Sequence, residues 1–114
     1  MWRDEGYLLD ILQAARHIQA FAQGVDETRF LTDELIQSGI IRQLEVIGEA
    51  AGRVSTAFVV QHPEIPWRAM VSMRNRLIHE YNKVRMEVVW EAVQTDIPRL
   101  IELISPLVPP ADAD

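Results

Sequence analysis

Apolar residues recur every three or four positions along most of this chain, which is the spacing of one buried face on an α-helix. The stripes predict four main helices: one between an N-cap at Asp4 and a terminating Gly24, one from Thr32 or Asp33 to Ser55, one from Trp67 to Glu80, and one from Met86 to Ile104. No segment alternates with the period of a β-strand. The pattern predicts an all-α, antiparallel bundle of four main helices, a class of fold that commonly dimerises.

The segments between these helices carry turn and breaker signals. Residues 26–33 predict a polar connection with one short helical turn at Phe30-Leu31. Two X-Pro pairs within residues 56–66 predict a loop, and Pro66 suits the first turn of the third helix. Pro98 is expected to kink or interrupt the fourth helix. We place the domain at residues 1–105 and predict a flexible, Pro- and Asp-rich tail at residues 106–114.

Two glycines lie four residues apart inside the second predicted helix. Each of them, Gly48 and Gly52, costs about 1 kcal/mol of helix stability relative to alanine. Such a pair predicts that another helix approaches this side closely.

Composition restricts the possible functions. At 114 residues and 48% hydrophobic content, the chain is expected to form a single domain. It has no cysteine, which excludes disulfides and thiolate chemistry. The three histidines form no metal-ligand pattern, so neither a metal nor another cofactor is expected. No apolar run has the length of a membrane span and no signal-peptide pattern is visible, which favours a cytoplasmic protein.

Positive charge is concentrated in one part of an acidic chain. The window from Arg68 to Arg85 holds five basic residues and one acid, whereas the whole chain has a net charge of -6. That charge argues against general coating of nucleic acids but allows a local site for a phosphate-bearing partner. Helix electrostatics is an equally good explanation from charge alone, since cations near a helix C-terminus oppose the macrodipole.

Within this window, four side chains form a candidate catalytic cluster. Asn75 and His79 lie four residues apart and share a helix face, while Arg74 and Tyr81 are close enough in sequence to join them. His79 is the candidate for proton transfer near neutral pH. Arg74 is suited to hold a phosphate, and Asn75 to orient the substrate or the imidazole.

The cluster contains no activated serine, no thiol and no carboxylate pair, so we expect a catalyst of this kind to use a nucleophile from its substrate. RNA carries one in the 2′-hydroxyl, and attack on the adjacent phosphate needs an acid or base and a cation. The pattern R-x-x-x-x-H is by itself very unspecific, because chance matches to it are frequent. In addition, a histidine at a helix end is more often a cap or a surface residue than a catalyst.

Several blocks of sequence resemble one known family. They read RDEGYLLDIL from Arg3, IRQLEVIGEAAGRV from Ile41, PEIPWR from Pro63, MRNRLIHEY from Met73 and VVWEAVQTDIPRL from Val88. Together, over about residues 3–104, they resemble the HepT-like family of HEPN-domain proteins.

The resemblance implies a homodimeric helical bundle and a metal-independent endoribonuclease, the toxin of a type VII-like toxin–antitoxin pair. The family signature R-x-x-x-x-H-x-Y falls on Arg74, His79 and Tyr81, with Asn75 after the arginine. It implies catalysis by Arg74 and His79 in a cleft between protomers. It also implies an MntA-like nucleotidyltransferase antitoxin that neutralises the toxin by transferring AMP to Tyr81.

One stretch departs from the family pattern. After the tyrosine, relatives more often read Phe-Gly-Val-Asp, where this chain has Asn82-Lys83-Val84-Arg85. Arg85 cannot cap the last helix as the aspartate would. Arg76, Lys83 and Arg85 are candidate contacts to an RNA backbone. The sequence does not distinguish tRNA from mRNA as the substrate.

The alternative function is a non-catalytic dimeric module that binds a nucleotide or the nucleotidyltransferase.

Overall fold

The computed structural model describes residues 2–109, with the side chain of Trp2 excepted, and these residues form helices and turns without any strand. The helices are α1 (Trp2–Ala22), α2 (Glu27–Thr32), α3 (Glu34–Ala51), α4 (Thr56–Gln61), α5 (Trp67–His79), α6 (Met86–Glu91) and α7 (Ile97–Ile104). Two 3₁₀ turns follow α5 and α7, at Tyr81–Lys83 and Ser105–Leu107. The all-α prediction is confirmed. Residues 110–114 of the predicted flexible tail lie outside the described residues.

Helix α3 lies at the centre of the structure, packed against α1 on one side and α5 on the other, while α7 packs against α1. The buried positions of α3 include Ile40, Leu44 and Ile47, which follow the spacing of three and four that predicted the helix. Opposite them, α1 buries Leu8, Ile11 and Ile18 completely. Within residues 2–109, no helix is both long and apolar enough to cross a bilayer.

The last helical segment changes its winding just before a proline. Helices α6 and α7 are joined without a break by a π-helical turn, Ala92–Asp96, and the Ile97 N–H donates to the carbonyl of Ala92. Pro98 has no N–H to give to a carbonyl four residues earlier, and its ring would crowd that carbonyl in a regular helix. The wider turn accommodates the missing hydrogen bond. The regular α-helix is therefore interrupted just before Pro98, as predicted, although the helical winding continues through the π-helical turn.

Aspartate caps organise the start of α3. The side chain of Asp33 accepts hydrogen bonds from the backbone N–H groups of Leu35 and Ile36, both at 3.1 Å. The Ile36 amide and the Arg29 guanidinium hold the pKa of the Asp33 carboxyl below its usual range. The predicted short turn before this cap is confirmed as α2, whose Phe30 is completely buried.

Two predictions about the region after α3 are wrong. Helix α3 ends at Ala51 and not at Ser55, and residues 56–66 are not all loop, because Thr56–Gln61 form α4. Helix α3 already ends with Gly52 as its C-cap. Ser55 explains the second difference, because its backbone is extended and its hydroxyl accepts from the Phe58 N–H at 3.2 Å as the N-cap of α4.

The predicted N-cap role of Asp4 is also wrong. Helix α1 begins at Trp2, so Asp4 lies inside the first turn. Its carboxylate is only 5% exposed and accepts from the Ser55 N–H at 2.9 Å and from the Ser55 hydroxyl at 2.7 Å. These hydrogen bonds, with the hydroxyl contributing most, lower the pKa of Asp4. Asp4 therefore joins the start of α1 to the α3–α4 connection.

Replacing Asp4 with alanine is expected to lower the free energy of unfolding at pH 7 by about 1–3 kcal/mol, because two hydrogen bonds to a carboxylate are lost. Since the folded-state pKa is depressed, the contribution of Asp4 is present above the unfolded-state pKa and disappears as the pH falls through the folded-state value. Urea unfolding of wild type and Asp4→Ala should therefore differ at pH 7 and converge in strong acid. Glu5→Ala, which changes an exposed neighbour in the same turn of α1, is the control. Equal effects of the two changes would refute the special role of Asp4.

Candidate active site

Helix α5 carries the candidate cluster, and its first residue fixes where it begins. The Trp67 indole is 8% exposed, and its Nε1–H donates to the backbone carbonyl of His62 at 2.9 Å. The Trp67 ring also makes an edge-to-face contact with Phe58 of α4. Trp67 therefore anchors the start of α5 by packing. At the other end, α5 stops at His79, one residue before the predicted end, with Arg76 and His79 in the last turn.

Close packing against α3 fixes the middle of α5. A Cβ atom added to Gly48 would lie 2.6 Å from the carbonyl oxygen of Met70 and would also collide with the Cβ of Arg74. At Gly52 the nearest atom would be 3.5 Å away, an ordinary contact. The predicted close approach is therefore confirmed for Gly48 and wrong for Gly52. The absence of a side chain at Gly48 is what lets the backbone of α5 come this close at Arg74.

Replacing Gly48 with alanine is expected to destabilise the protein by about 1–3 kcal/mol, because the carbonyl of Met70 belongs to the backbone and cannot move aside cheaply. The higher helix propensity of alanine offsets only about 1 kcal/mol. Gly52→Ala is the matched control, with helical backbone angles and room for the methyl group. Thermal unfolding should show a lower Tm for Gly48→Ala and an unchanged or higher Tm for Gly52→Ala. The same loss in both variants would contradict this account of the helix contact.

Arg74 is half-buried, and its side chain is held by its neighbour. The Arg74 Nη1–H donates to the Oδ1 of Asn75 at 3.0 Å. In this structure the amide of Asn75 therefore orients the arginine, and no hydrogen bond joins it to His79. Together, Gly48 beneath Arg74 and Asn75 beside it restrict where the guanidinium can lie.

An open groove of about 600 Å³ runs along the outer face of α5. Its lining consists of Trp67, Arg68, Val71, Ser72, Asn75, Arg76, His79 and Glu80. These positions follow the helical spacing of three and four residues, so one face of one helix supplies almost the whole surface. The expectation that Asn75 and His79 share a face is confirmed, and Arg76 lies between them. Arg74 and Tyr81 do not line the groove.

The connector after α5 holds the remaining candidates. Tyr81 is 50% exposed and begins the 3₁₀ turn that Lys83 ends. Arg85 forms an ion pair with Glu87 at 3.7 Å and stands at the N-cap of α6 without a side-chain cap hydrogen bond, as its identity predicted. Neither Lys83 nor Arg85 lines the groove.

The basic window contains cations that its own structure does not neutralise. Within residues 2–109, no carboxylate lies at ion-pairing distance from Arg68, Arg74, Arg76 or Lys83. Elsewhere, four of the six basic residues have such partners: Arg29 with Asp33, Arg42 with Glu45, Arg53 with Glu49, and Arg99 with Glu102. The positive charge around α5 is therefore available to an anionic ligand.

Arg68 is the groove cation that the candidate contacts do not include, because the signature begins at Arg74. The spacing of residues 68, 72, 75, 76 and 79 on one helical face contained the signal.

Comparisons with known proteins identify relatives of this chain. A family model described as "Ribonuclease HepT-like" matches residues 11–107. "Probable ribonuclease HepT" of Thermococcus cleftensis is 45% identical over 94 residues, which cover 82% of this chain and 86% of that protein. A "Putative RNase" of Methanocaldococcus jannaschii is 34% identical over 96 residues, 84% of this chain and 88% of its own length. A second protein named "Putative RNase", from Caldanaerobacter subterraneus, is 34% identical over 94 residues, which cover 82% of this chain and 84% of that protein. No solved structure matches.

Proposed function

This chain belongs to the HepT-like ribonuclease family, as its sequence blocks predicted, and from that membership and the α5 groove we propose that it is a metal-independent endoribonuclease toxin. The family supports an RNA-cleaving enzyme in general terms. The observation that carries the finer proposal is the placement of His79 and Asn75 in one groove, with Arg74 bound to Asn75 and unpaired cations around them.

In the proposed reaction, the 2′-hydroxyl of RNA attacks the adjacent phosphorus. The 2′-oxygen–phosphorus bond forms as the bond to the 5′-oxygen breaks, so the products are a 2′,3′-cyclic phosphate and a 5′-hydroxyl. The hydroxyl gives up its proton to a base and the leaving oxygen receives one from an acid, the work for which an imidazole such as that of His79 is suited. Arg74 balances the charge that builds on the phosphoryl oxygens.

A homodimer is part of the proposal because one histidine cannot be base and acid at the same moment. The groove is lined by a single helix face and is open on its outer side. Two such faces meeting across a cleft would place two His79 imidazoles around one phosphate. The two Arg74 guanidinium groups would reach the phosphate from beside the groove, where each is bonded to Asn75. The same arrangement would also combine the positive charge of two protomers.

Control of the toxin is proposed to act through Tyr81. Tyr81 is 50% exposed in the 3₁₀ turn after α5, a position at which an MntA-like nucleotidyltransferase could reach the phenolic oxygen. Attack of this oxygen on the α-phosphate of ATP would attach AMP and release pyrophosphate. The new phosphate adds a negative charge and bulk beside the cations that are proposed to bind RNA, which would compete with the substrate.

The nature of the RNA ends tests this proposal. Incubation of tRNA with the purified protein in EDTA should give fragments with 2′,3′-cyclic phosphate ends, and prior incubation with the nucleotidyltransferase and ATP should abolish cleavage and raise the intact mass by AMP. Ends carrying a 5′-phosphate, or activity that requires added metal, would contradict the mechanism. Complex formation with the nucleotidyltransferase but no turnover would instead identify a binding module.

A further inference from the structure

The groove extends well beyond the signature that identifies the candidate active site. His79 lies near one end of it and Arg68 near the other, 11 residues earlier on the same helix. At the rise of an α-helix this separation is about 16 Å. The R-x-x-x-x-H pattern therefore accounts for only one end of the surface, and the turns of α5 around Arg68 have no part in the proposed chemistry.

The residues along this surface combine three properties. The cations Arg68 and Arg76 suit phosphates, and neither has a carboxylate partner within residues 2–109. Ser72 and Asn75 supply hydrogen-bonding groups between them. Val71 adds apolar surface, against which a base can lie.

We propose that the face of α5 from Arg68 to His79 is a track for single-stranded RNA flanking the scissile phosphate, with Arg68 as a backbone contact several nucleotides from the cleavage point. This inference rests on the proposed function, since it assumes that the cleaved molecule is RNA. A strand advances about 3.4 Å per nucleotide when stacked, so a groove of about 16 Å holds roughly four or five nucleotides, and fewer if they are extended.

Charge and shape both favour a single strand at this place. The chain as a whole has a net charge of -6, so most of its surface repels phosphates and the unpaired cations of α5 determine where RNA binds. Only one acid, Glu80, lines the groove. The bases of a duplex are stacked inside it and cannot use the apolar surface of Val71, whereas those of a single strand can.

Binding of a non-cleavable strand tests the track separately from catalysis. A labelled 2′-O-methyl RNA of about 12 nucleotides, a length within known single-strand site sizes, lacks the free nucleophile and can be followed by fluorescence anisotropy over a range of salt concentrations. Arg68→Ala should weaken binding several-fold and reduce the slope of log affinity against log salt by about 0.7, the value for one single-strand phosphate contact. Arg16→Ala removes an exposed arginine of α1 that also lacks an ion pair within residues 2–109, and it should bind like wild type.

Each other result overturns the track. The first is equal binding by Arg68→Ala and wild type, and the second is an equal loss in both arginine variants. The third is tighter binding of a duplex of the same sequence. The fourth is a changed oligomer mass of Arg68→Ala, which would place Arg68 itself in a contact between protomers and not in the open part of the groove.

Cleavable RNA separates failure of the track from failure of the ribonuclease. In a cleavage assay Arg68→Ala should raise KM and leave kcat unchanged, since a remote contact binds ground state and transition state equally. Weakened binding by Arg68→Ala without any cleavage by wild type would uphold the track and refute the ribonuclease. Cleavage by wild type with an unchanged KM in Arg68→Ala would uphold the ribonuclease and refute the track.

Discussion

Replacing His79 with alanine is expected to reduce the rate of RNA cleavage by about 100- to 10,000-fold, the contribution of a positioned general acid or base. The imidazole is exposed at the last residue of α5 and has no side-chain hydrogen bond within residues 2–109, so its removal leaves no buried group unsatisfied. Stability and helicity should therefore stay close to those of wild type. The rate is measured at saturating RNA, so that a loss of binding is not mistaken for a loss of chemistry.

The matched control for this change is His17→Ala. His17 is also an exposed histidine on a helix, but it belongs to α1, where its ring stacks on Phe21 at 6.1 Å between centroids. His17→Ala should cleave RNA at the wild-type rate. If both histidine variants retained wild-type activity, the assignment of His79 would be refuted. If both lost it equally, the effect would not be specific to the site.

Replacing Arg74 with alanine is expected to lower kcat by about 100- to 1,000-fold, the usual effect of removing one group that stabilises charge in a transition state. Alanine keeps the Cβ atom that packs against Gly48, so the contact between α3 and α5 is preserved. The Asn75 Oδ1 that loses its donor is on an exposed side chain and can bond to water instead. The variant therefore tests the guanidinium and not the fold.

Arg74→Lys refines the test because lysine keeps the charge but cannot bind a phosphate with two parallel hydrogen bonds. It should recover only part of the lost activity. Arg42→Ala is the control, since Arg42 is an exposed arginine of α3 whose only ion pair within residues 2–109 is a surface contact with Glu45 at 3.8 Å. Full activity in Arg74→Ala, or complete rescue by lysine, would be inconsistent with phosphate binding by the fork of the guanidinium.

Sequence periodicity predicted the parts of the fold that depend on local pattern. The stripe of Ile40, Leu44 and Ile47 predicted the buried side of α3, and the i, i+4 relation of Asn75 and His79 predicted their common groove. Both follow from the geometry of a single helix, which a short window of sequence contains.

The features that the sequence did not predict depend on contacts distant along the chain. Asp4 reads as an N-cap locally, but its partner is Ser55, 51 residues away. The same serine caps α4, a helix of six residues that is too short to show a clear period. Spacing also does not predict the hydrogen bond between Arg74 and Asn75. The sequence suggested that Asn75 orients the substrate or the imidazole, because the two side chains that meet are neighbours in sequence and do not share a narrow helix face.

The glycine pair in α3 is another feature that local sequence does not decide. Spacing treated Gly48 and Gly52 alike, and only the position of α5 distinguishes them. Gly48 faces the backbone at Met70 and Arg74, whereas Gly52 has ordinary contacts around it. Which glycine of a pair is needed for packing is decided by the partner helix and not by the helix that contains them.

The most direct test of the central claim is cleavage of total tRNA in EDTA by wild type and His79→Ala side by side, after both have been shown to have equal helicity, equal oligomer size and unmodified mass at Tyr81. The account predicts fragments with wild type and almost none with the variant. Equal cleavage by both proteins, or no cleavage by unmodified wild type, would contradict it.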